Sequence, residues 1–147
     1  MELEFHPMQA ADLPAVIQIE KTLFSEPWSE DGFLSALGFD HVLYLTAHWG
    51  GEVVAYCGIY CMLDEGELVN MAVKPESQNK GIGKRMLCHL LEQARQKGVT
   101  KVFLEVRVSN QPALHLYESL GFMQSGKRKD FYQKPTEDAY VMVKKLP

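Results

Sequence analysis

Gln78-Asn79-Lys80-Gly81-Ile82-Gly83-Lys84 lies between an apolar run, Leu68-Val69-Asn70-Met71-Ala72-Val73, and an amphipathic segment from Lys84 to Lys97. The order reads as a strand, a tight glycine turn and a helix start. Such a turn leaves the first helical N–H groups without internal acceptors, at the positive end of the helix dipole. That makes a ready anion cradle, and a phosphate-bearing ligand is the functional reading. A glycine turn that only caps a surface helix is the plain alternative.

The spacing narrows the ligand. A nucleoside-triphosphate loop ends in Gly-Lys followed by Ser or Thr, whereas Gly83-Lys84 is followed by Arg85. A dinucleotide fingerprint needs a third glycine where Met86 stands. What remains is a Gln-x-x-Gly-x-Gly turn beside Lys80, Lys84 and Arg85, suited to a pyrophosphate with no bound metal.

The chain has 147 residues, enough for one domain, taken as 1–147, with a single adequate core. Its 46% hydrophobic and 23% charged content reads as a normal soluble composition. No apolar run approaches the roughly 20 residues of a membrane span. Met1-Glu2-Leu3-Glu4 lacks the basic start of a secretory signal. Cys57, Cys61 and Cys88 are expected to be buried thiols in a reducing compartment, so a cytoplasmic location and no membrane partner are anticipated. Net charge of −4 argues against broad nucleic-acid binding and weakly favours cationic substrates. Lys127-Arg128-Lys129 reads as a solvated basic cluster. The five histidines and three cysteines show no metal-ligand spacing, so no metal is expected.

Alternation at Leu3 and Phe5 predicts a short opening strand. The apolar spacing from about Gln9 to Phe24 predicts a helix with Pro14 in its first turn. Ser29 should cap a second helix ending at Gly38. Val42 to Trp49 and Glu52 to Met62 read as strands joined through Gly50-Gly51. A further strand ends at Val73, and Met86, Leu87, Leu90, Leu91 and Ala94 form the stripe of the central helix. Lys101 to Val106 is the next strand, followed by a helix from Ala113 to Leu120. Phe122 to Gly126 and Ala139 to Leu146 are the last strands. The expected class is α/β: one mixed, mostly antiparallel sheet of about seven strands flanked by about four helices.

Strand periodicity puts Phe103, Glu105 and Arg107 on one face and Val102, Leu104 and Val106 on the other. A carboxylate at the middle of such a strand is either a desolvated base or a cross-strand partner for a cation. Tyr117 shares a helix face with Ala113 and Leu120, as a core tyrosine or as a proton donor to a thiolate-like leaving group. Asn110 is a turn or cap residue, or an amide that holds a ligand. Trp28 and Tyr132 each read as core or as pocket lid.

Taken together, Gln78-x-x-Gly81-x-Gly83, Leu104-Glu105-Val106-Arg107, Ser109-Asn110 and Leu116-Tyr117-Glu118-Ser119-Leu120-Gly121-Phe122 resemble the GNAT family of acetyl-CoA-dependent N-acetyltransferases. Pro27-Trp28-Ser29, Asn70-Met71-Ala72-Val73 and Glu137-Asp138-Ala139 resemble its branch acting on the N-terminal alanine of a ribosomal protein. The resemblance implies acetyl-CoA as co-substrate in a cleft where the strands near Val73 and Val106 splay apart. It implies that Met71, Ala72 and Val73 pair with the pantetheine arm. The amides of Asn79, Lys80, Gly81, Ile82, Gly83 and Lys84 would hold the pyrophosphate, and Asn110 would touch the cofactor. Glu105 matches the general base and Tyr117 the acid. Trp28 and Tyr132 become candidate acceptor-binding residues. Asn79-Lys80 stands where relatives often carry arginines. None of the cysteines matches a nucleophile position, so direct transfer in a ternary complex is expected.

The choice of a peptide N-terminus as acceptor rests mainly on the resemblance, and proton affinity agrees with it. An α-amine with a pKa of about 7.7–8.0 is roughly 10% neutral at pH 7, and a lysine near 10.4 is below ~0.1%. Deprotonation costs on the order of 1.3 kcal/mol for the former and ~4.6 kcal/mol for the latter. One glutamate suffices for the first task. The implied partner is the N-terminal segment of a small-subunit ribosomal protein or other basic peptide, met by a monomer or weak dimer. A GNAT enzyme for a small amine, polyamine or lysine side chain stays open beside it, as does a non-catalytic CoA-binding module.

Overall fold

The computed structural model describes residues 2–147. Its strands are β1 (Leu3–Pro7), β2 (Val42–Trp49), β3 (Glu52–Met62), β4 (Glu65–Val73), β5 (Lys101–Arg107), β6 (Met123–Tyr132) and β7 (Glu137–Lys145). Its helices are α1 (Leu13–Leu23), α2 (Glu30–Leu37), α3 (Ile82–Gln96) and α4 (Gln111–Ser119). The strands form one sheet in the order β1-β2-β3-β4-β5-β7-β6. Every neighbouring pair is antiparallel except β4 and β5, which run parallel and are linked through α3. The anticipated α/β class, with seven mostly antiparallel strands and four helices, is the observed one.

Local chemistry explains the helix ends. A 3₁₀ turn at Ala10–Asp12 leads into α1, which has Pro14 in its first turn, and Phe24 ends it in extended backbone. Ser29 caps α2 by accepting the Gly32 N–H at 3.1 Å. The stripe of α3 buries Met86, Leu87, Leu90, Leu91 and Ala94, each at 6% exposure or less. Each large side chain so buried contributes about 1.5–3 kcal/mol. These residues join Leu45, Ile59, Leu104 and Met142 on one face of the sheet. On the other face α1 and α2 pack Val16, Ile19 and Phe33 over Tyr44 and Tyr56.

Three expectations need correction. Only Cys57 is buried; Cys61 is half-buried and Cys88 exposed, because Cys88 lies off the apolar stripe of α3. Helix α3 begins at Ile82, two residues before Lys84. Strand β6 runs to Tyr132, well past Gly126, and carries Lys127-Arg128-Lys129 within it. As an edge strand it is held by backbone pairing to β7, so no hydrophobic alternation marks it.

Candidate active site

Strands β4 and β5 pair at only three positions: Glu65 with Lys101, Gly66 with Val102 and Glu67 with Phe103. Immediately after, β4 carries a bulge. Gly58 of β3 opposes Asn70 while Ile59 opposes Leu68, leaving Val69 as the extra residue. A bulge bends its strand and ends regular pairing, so the rest of β4 stays with β3 and parts from β5. The opening is a cleft of about 1150 Å³, lined by Met71, Ala72 and Val73 on one wall and Leu104 to Arg107 on the other. The Lys74 N–H bonds the Val54 carbonyl on β3 at 2.8 Å. Strand alternation therefore turns the backbone polar groups of Met71 and Val73 toward the cleft. The Gln78 side-chain amide donates to the Val73 carbonyl at 2.9 Å and closes the following loop onto β4.

That loop ends at Gly81, whose φ of +79° is the left-handed conformation glycine adopts freely. No side chain caps α3, so the N–H groups at its start keep the cradle geometry anticipated above. Gly83 answers a different need. A Cβ there would stand 3.1 Å from Met71 Cε, 3.4 Å from Val73 Cγ2 and 3.7 Å from Leu116 Cδ2. Its bare backbone lets the start of α3 settle against β4 and α4. Asn79, Gly81, Ile82, Gly83 and Lys84 all border the cleft. Lys80 lines a separate hollow with Trp49, Glu52 and Lys74.

Glu105 enters from β5, its side chain 10% exposed, with Arg128 Nη2 3.7 Å from Oε1. Burial first, and then the neighbouring Glu105, push the Glu67 carboxyl above the usual carboxylate range. Tyr117 reaches the cleft from α4 and is 8% exposed; burial raises its phenol well above the ordinary value, so it keeps its proton. Tyr132 also lines the cleft, and burial and Glu105 push it up to about 12 against the pull of Arg107. Asn110 caps α4 by accepting the Ala113 N–H at 3.2 Å while bordering the cleft, so its cap role is a structural fact. Trp28 is half-buried against Phe33, ring centroids 5.3 Å apart, and also borders the cleft.

Four contributors went unread in the sequence. Glu20, 3% exposed, accepts the Trp28 N–H at 2.9 Å and the Tyr56 hydroxyl, holding the α1–α2 loop against the cleft. Its signal was an acid following Leu13 and Val16 along an apolar helix stripe. Glu137 binds the Ser109 N–H at 2.8 Å and Arg107 Nη1 at 3.1 Å. Glu67 and Arg128 complete the surroundings of Glu105 from strands distant in sequence, which local pattern does not encode. Among the described residues no cluster of three or more His, Cys, Asp or Glu could hold a metal, and no helix is long and apolar enough to cross a membrane.

An α/β fold with a splayed β4/β5 pair, unpaired amides at a helix start, and a carboxylate and a tyrosine lining the same cleft describes an acyl-group transferase. The sequence pattern of the acetyltransferase (GNAT) family matches residues 13–122, and the chain belongs to that family. It is similar to the [ribosomal protein bS18]-alanine N-acetyltransferase of Escherichia coli K12, with 39% identity over 139 residues, 92% of each chain. The crystal structure of the ribosomal-protein-S18-alanine N-acetyltransferase from Escherichia coli superposes with a TM-score of 0.90 at 35% identity, covering 99% of this chain and 94% of that one. Arabidopsis thaliana NAA60 in complex with acetyl-CoA shares the fold, with a TM-score of 0.89 at 18% identity over 99% of both chains.

Proposed function

We propose that this protein is a cytoplasmic N-α-acetyltransferase that uses acetyl-CoA to acetylate the N-terminal alanine of a small-subunit ribosomal protein. One observation carries the reading: the divergence of β4 from β5 opens a single cleft bordered by the uncapped start of α3, Glu105 and Tyr117. The similarity to ribosomal-protein-alanine acetyltransferases along nearly the whole chain supports the choice of acceptor. Glu20 and Glu105, which line the cleft, suit a cationic N-terminus.

The residues fit the co-substrate. Uncapped amides at Ile82, Gly83 and Lys84 meet a diphosphate, and the cleft-facing backbone of Met71 and Val73 meets an extended amide-bearing arm as a further strand would. Bound acetyl-CoA supplies an acetyl group activated as a thioester. Glu105 takes a proton from the acceptor ammonium at its carboxylate oxygen; forming the neutral α-amine at pH 7 costs on the order of 1.3 kcal/mol. Tyr117 Oη donates toward the departing sulfur; burial favours the neutral forms of both phenol and thiol, so the proton is shared between groups desolvated together. Trp28 and Tyr132 wall the acceptor end and exclude water.

Free-thiol release from acetyl-CoA tests the proposal, measured with an Ala-starting basic peptide, the same peptide with a blocked N-terminus, and a polyamine. Turnover confined to the free N-terminus is the expected result. Preference for the polyamine removes the acceptor assignment, and coenzyme A binding with no turnover of any amine removes the enzyme.

A further inference from the structure

Tyr44, Gly58 and Asn70 stand in one row across β2, β3 and β4. Neighbouring strands lie about 4.8 Å apart, so the Tyr44 side chain reaches β4 only by lying across β3. Gly58 makes that possible, because a Cβ there would collide with the Tyr44 ring. The ring packs edge-on to Phe33, centroids 6.1 Å apart, and its hydroxyl donates to Asn70 Oδ1 at 2.6 Å. Burial raises that phenol above its ordinary value, so it keeps the proton it donates.

This bond fixes which way the Asn70 amide points. Asn70 is 8% exposed and borders the cleft. Among the described residues Nδ2 donates to no protein acceptor, and no fully enclosed polar side-chain atom lacks a partner. Nδ2 is therefore open to the cleft. The bulge in β4 sets its level. Leu68 joins Leu104 in the core under α3, while Val69 packs on the α1–α2 side. Counting on from the Glu67–Phe103 pair, with Val69 taken up by the bulge, brings Asn70 level with Glu105 and onto the same face. Without the extra residue, alternation would turn Asn70 to the α3 side.

We propose that Asn70 Nδ2 donates to the carbonyl of the acceptor's first residue and so selects an N-terminal α-amine over other amines. This rests on the reading of Glu105 as the base for an N-terminal acceptor. An amine nitrogen held at Glu105 has the carbonyl of its own residue beside it, across the α-carbon. A donor level with Glu105 on the opposite wall meets that oxygen. A lysine side chain or a polyamine offers only methylene there and leaves the donor unpaired in a desolvated site, which disfavours it. Glu105 handles the proton, and Asn70 reads which kind of amine carries it.

The test compares two acceptors: an Ala-starting peptide, and the same peptide with its first peptide bond replaced by a trans alkene, which keeps the shape and has no carbonyl. Asn70→Ala is made together with Tyr44→Phe, so that no hydroxyl is left without its partner, and coenzyme A binding by calorimetry checks the fold. kcat/KM is compared between variant and wild type within each acceptor, which cancels the different basicities of the two amines. The variant should lose about tenfold with the peptide, the size of one hydrogen bond in a desolvated site. With the alkene the loss should stay within about twofold. Equal losses, or no loss with the peptide, overturn the assignment and leave Glu105 as base untouched. Should the double variant not bind coenzyme A, Tyr44→Phe alone carries the same comparison. It frees the amide from its anchor, and the peptide should again lose more than the alkene; equal losses there overturn the assignment too. A wild type that turns over neither acceptor removes the N-terminal reading, and this inference with it.

Discussion

The Arg107 guanidinium lies 4.5 Å over the Tyr132 ring and donates to the Gln133 and Pro135 carbonyls, each at 3.0 Å. With its bond to Glu137 at 3.1 Å, it fastens the β6–β7 connection to the end of β5. That connection lines one side of the cleft.

Arg107→Lys keeps the charge and loses the planar fork that serves three acceptors at once. Its expected signature is a several-fold rise in peptide KM, a stability loss of about 1–2 kcal/mol, and coenzyme A affinity within twofold of wild type. Steady-state kinetics and calorimetry on one preparation separate the three. An unchanged peptide KM would free the β6–β7 connection from acceptor binding.

Glu105→Gln preserves volume and leaves Arg128 unpaired but half-exposed, so the fold should tolerate it. Removing a positioned general base costs about 10²–10⁴ in rate. The loss is expected in kcat, with coenzyme A binding by calorimetry intact. Loss of binding in step with rate would assign Glu105 to cofactor contact.

Tyr117→Phe removes one oxygen from a ring packed 5.7 Å from Phe122. Stability should stay near wild type because the ring contacts persist. We expect kcat to fall about 10²-fold at pH 7, and least with a thioester whose thiol is more acidic, since that leaving group needs less help. An equal loss for both thioesters would deny Tyr117 the acid role.

The strands, the caps and the glycine turn were legible because each obeys a local rule. Leu104 and Val106 alternate with Glu105 and Arg107, Ser29 precedes two acids, and Gly81 supplies a positive φ. The start of α3 was misplaced because Gly83 reads as turn chemistry, whereas it is a packing glycine inside the first helical turn. The second half of β6 was unreadable because an exposed edge strand has no apolar face to display. The environment of Glu105 was hidden for a topological reason. Glu67 and Arg128 arrive on strands that become its neighbours only once β4, β7 and β6 are in order. Lys127, Arg128 and Lys129 are exposed, as read, and Arg128 also stands 3.7 Å from Glu105.

Gly81→Ala isolates the backbone term of the cradle. No atom stands within 4 Å of a Cβ there, so the cost is that of a φ near +79° for a side-chain-bearing residue, about 1–2 kcal/mol. The chain relieves that strain by turning the amides at the start of α3. Coenzyme A affinity should fall more than tenfold, while affinity for pantetheine, which lacks the diphosphate, changes little. Equal losses for the two ligands would mean the amides do not meet the diphosphate.

Glu137 and Glu67 should bend the stability of the protein in opposite directions with pH. Hydrogen bonding at Ser109, aided by Arg107, holds Glu137 below the usual carboxylate range. The unfolded chain then binds more protons between the two values, so this contribution is present above the unfolded pKa of about 4.3 and fades as pH falls through the folded one. Glu67 is raised by burial and by Glu105, so the folded protein binds more protons above pH ~4.3, and stability drains as pH rises through the folded value. Melting curves from pH 3 to 8 expose both. Wild type minus Glu137→Gln should be positive at pH 7 and shrink below pH ~4. Wild type minus Glu67→Gln should be near zero at pH 4 and turn negative by pH 7. Parallel difference curves would mean the two carboxyls do not differ in environment as the fold requires.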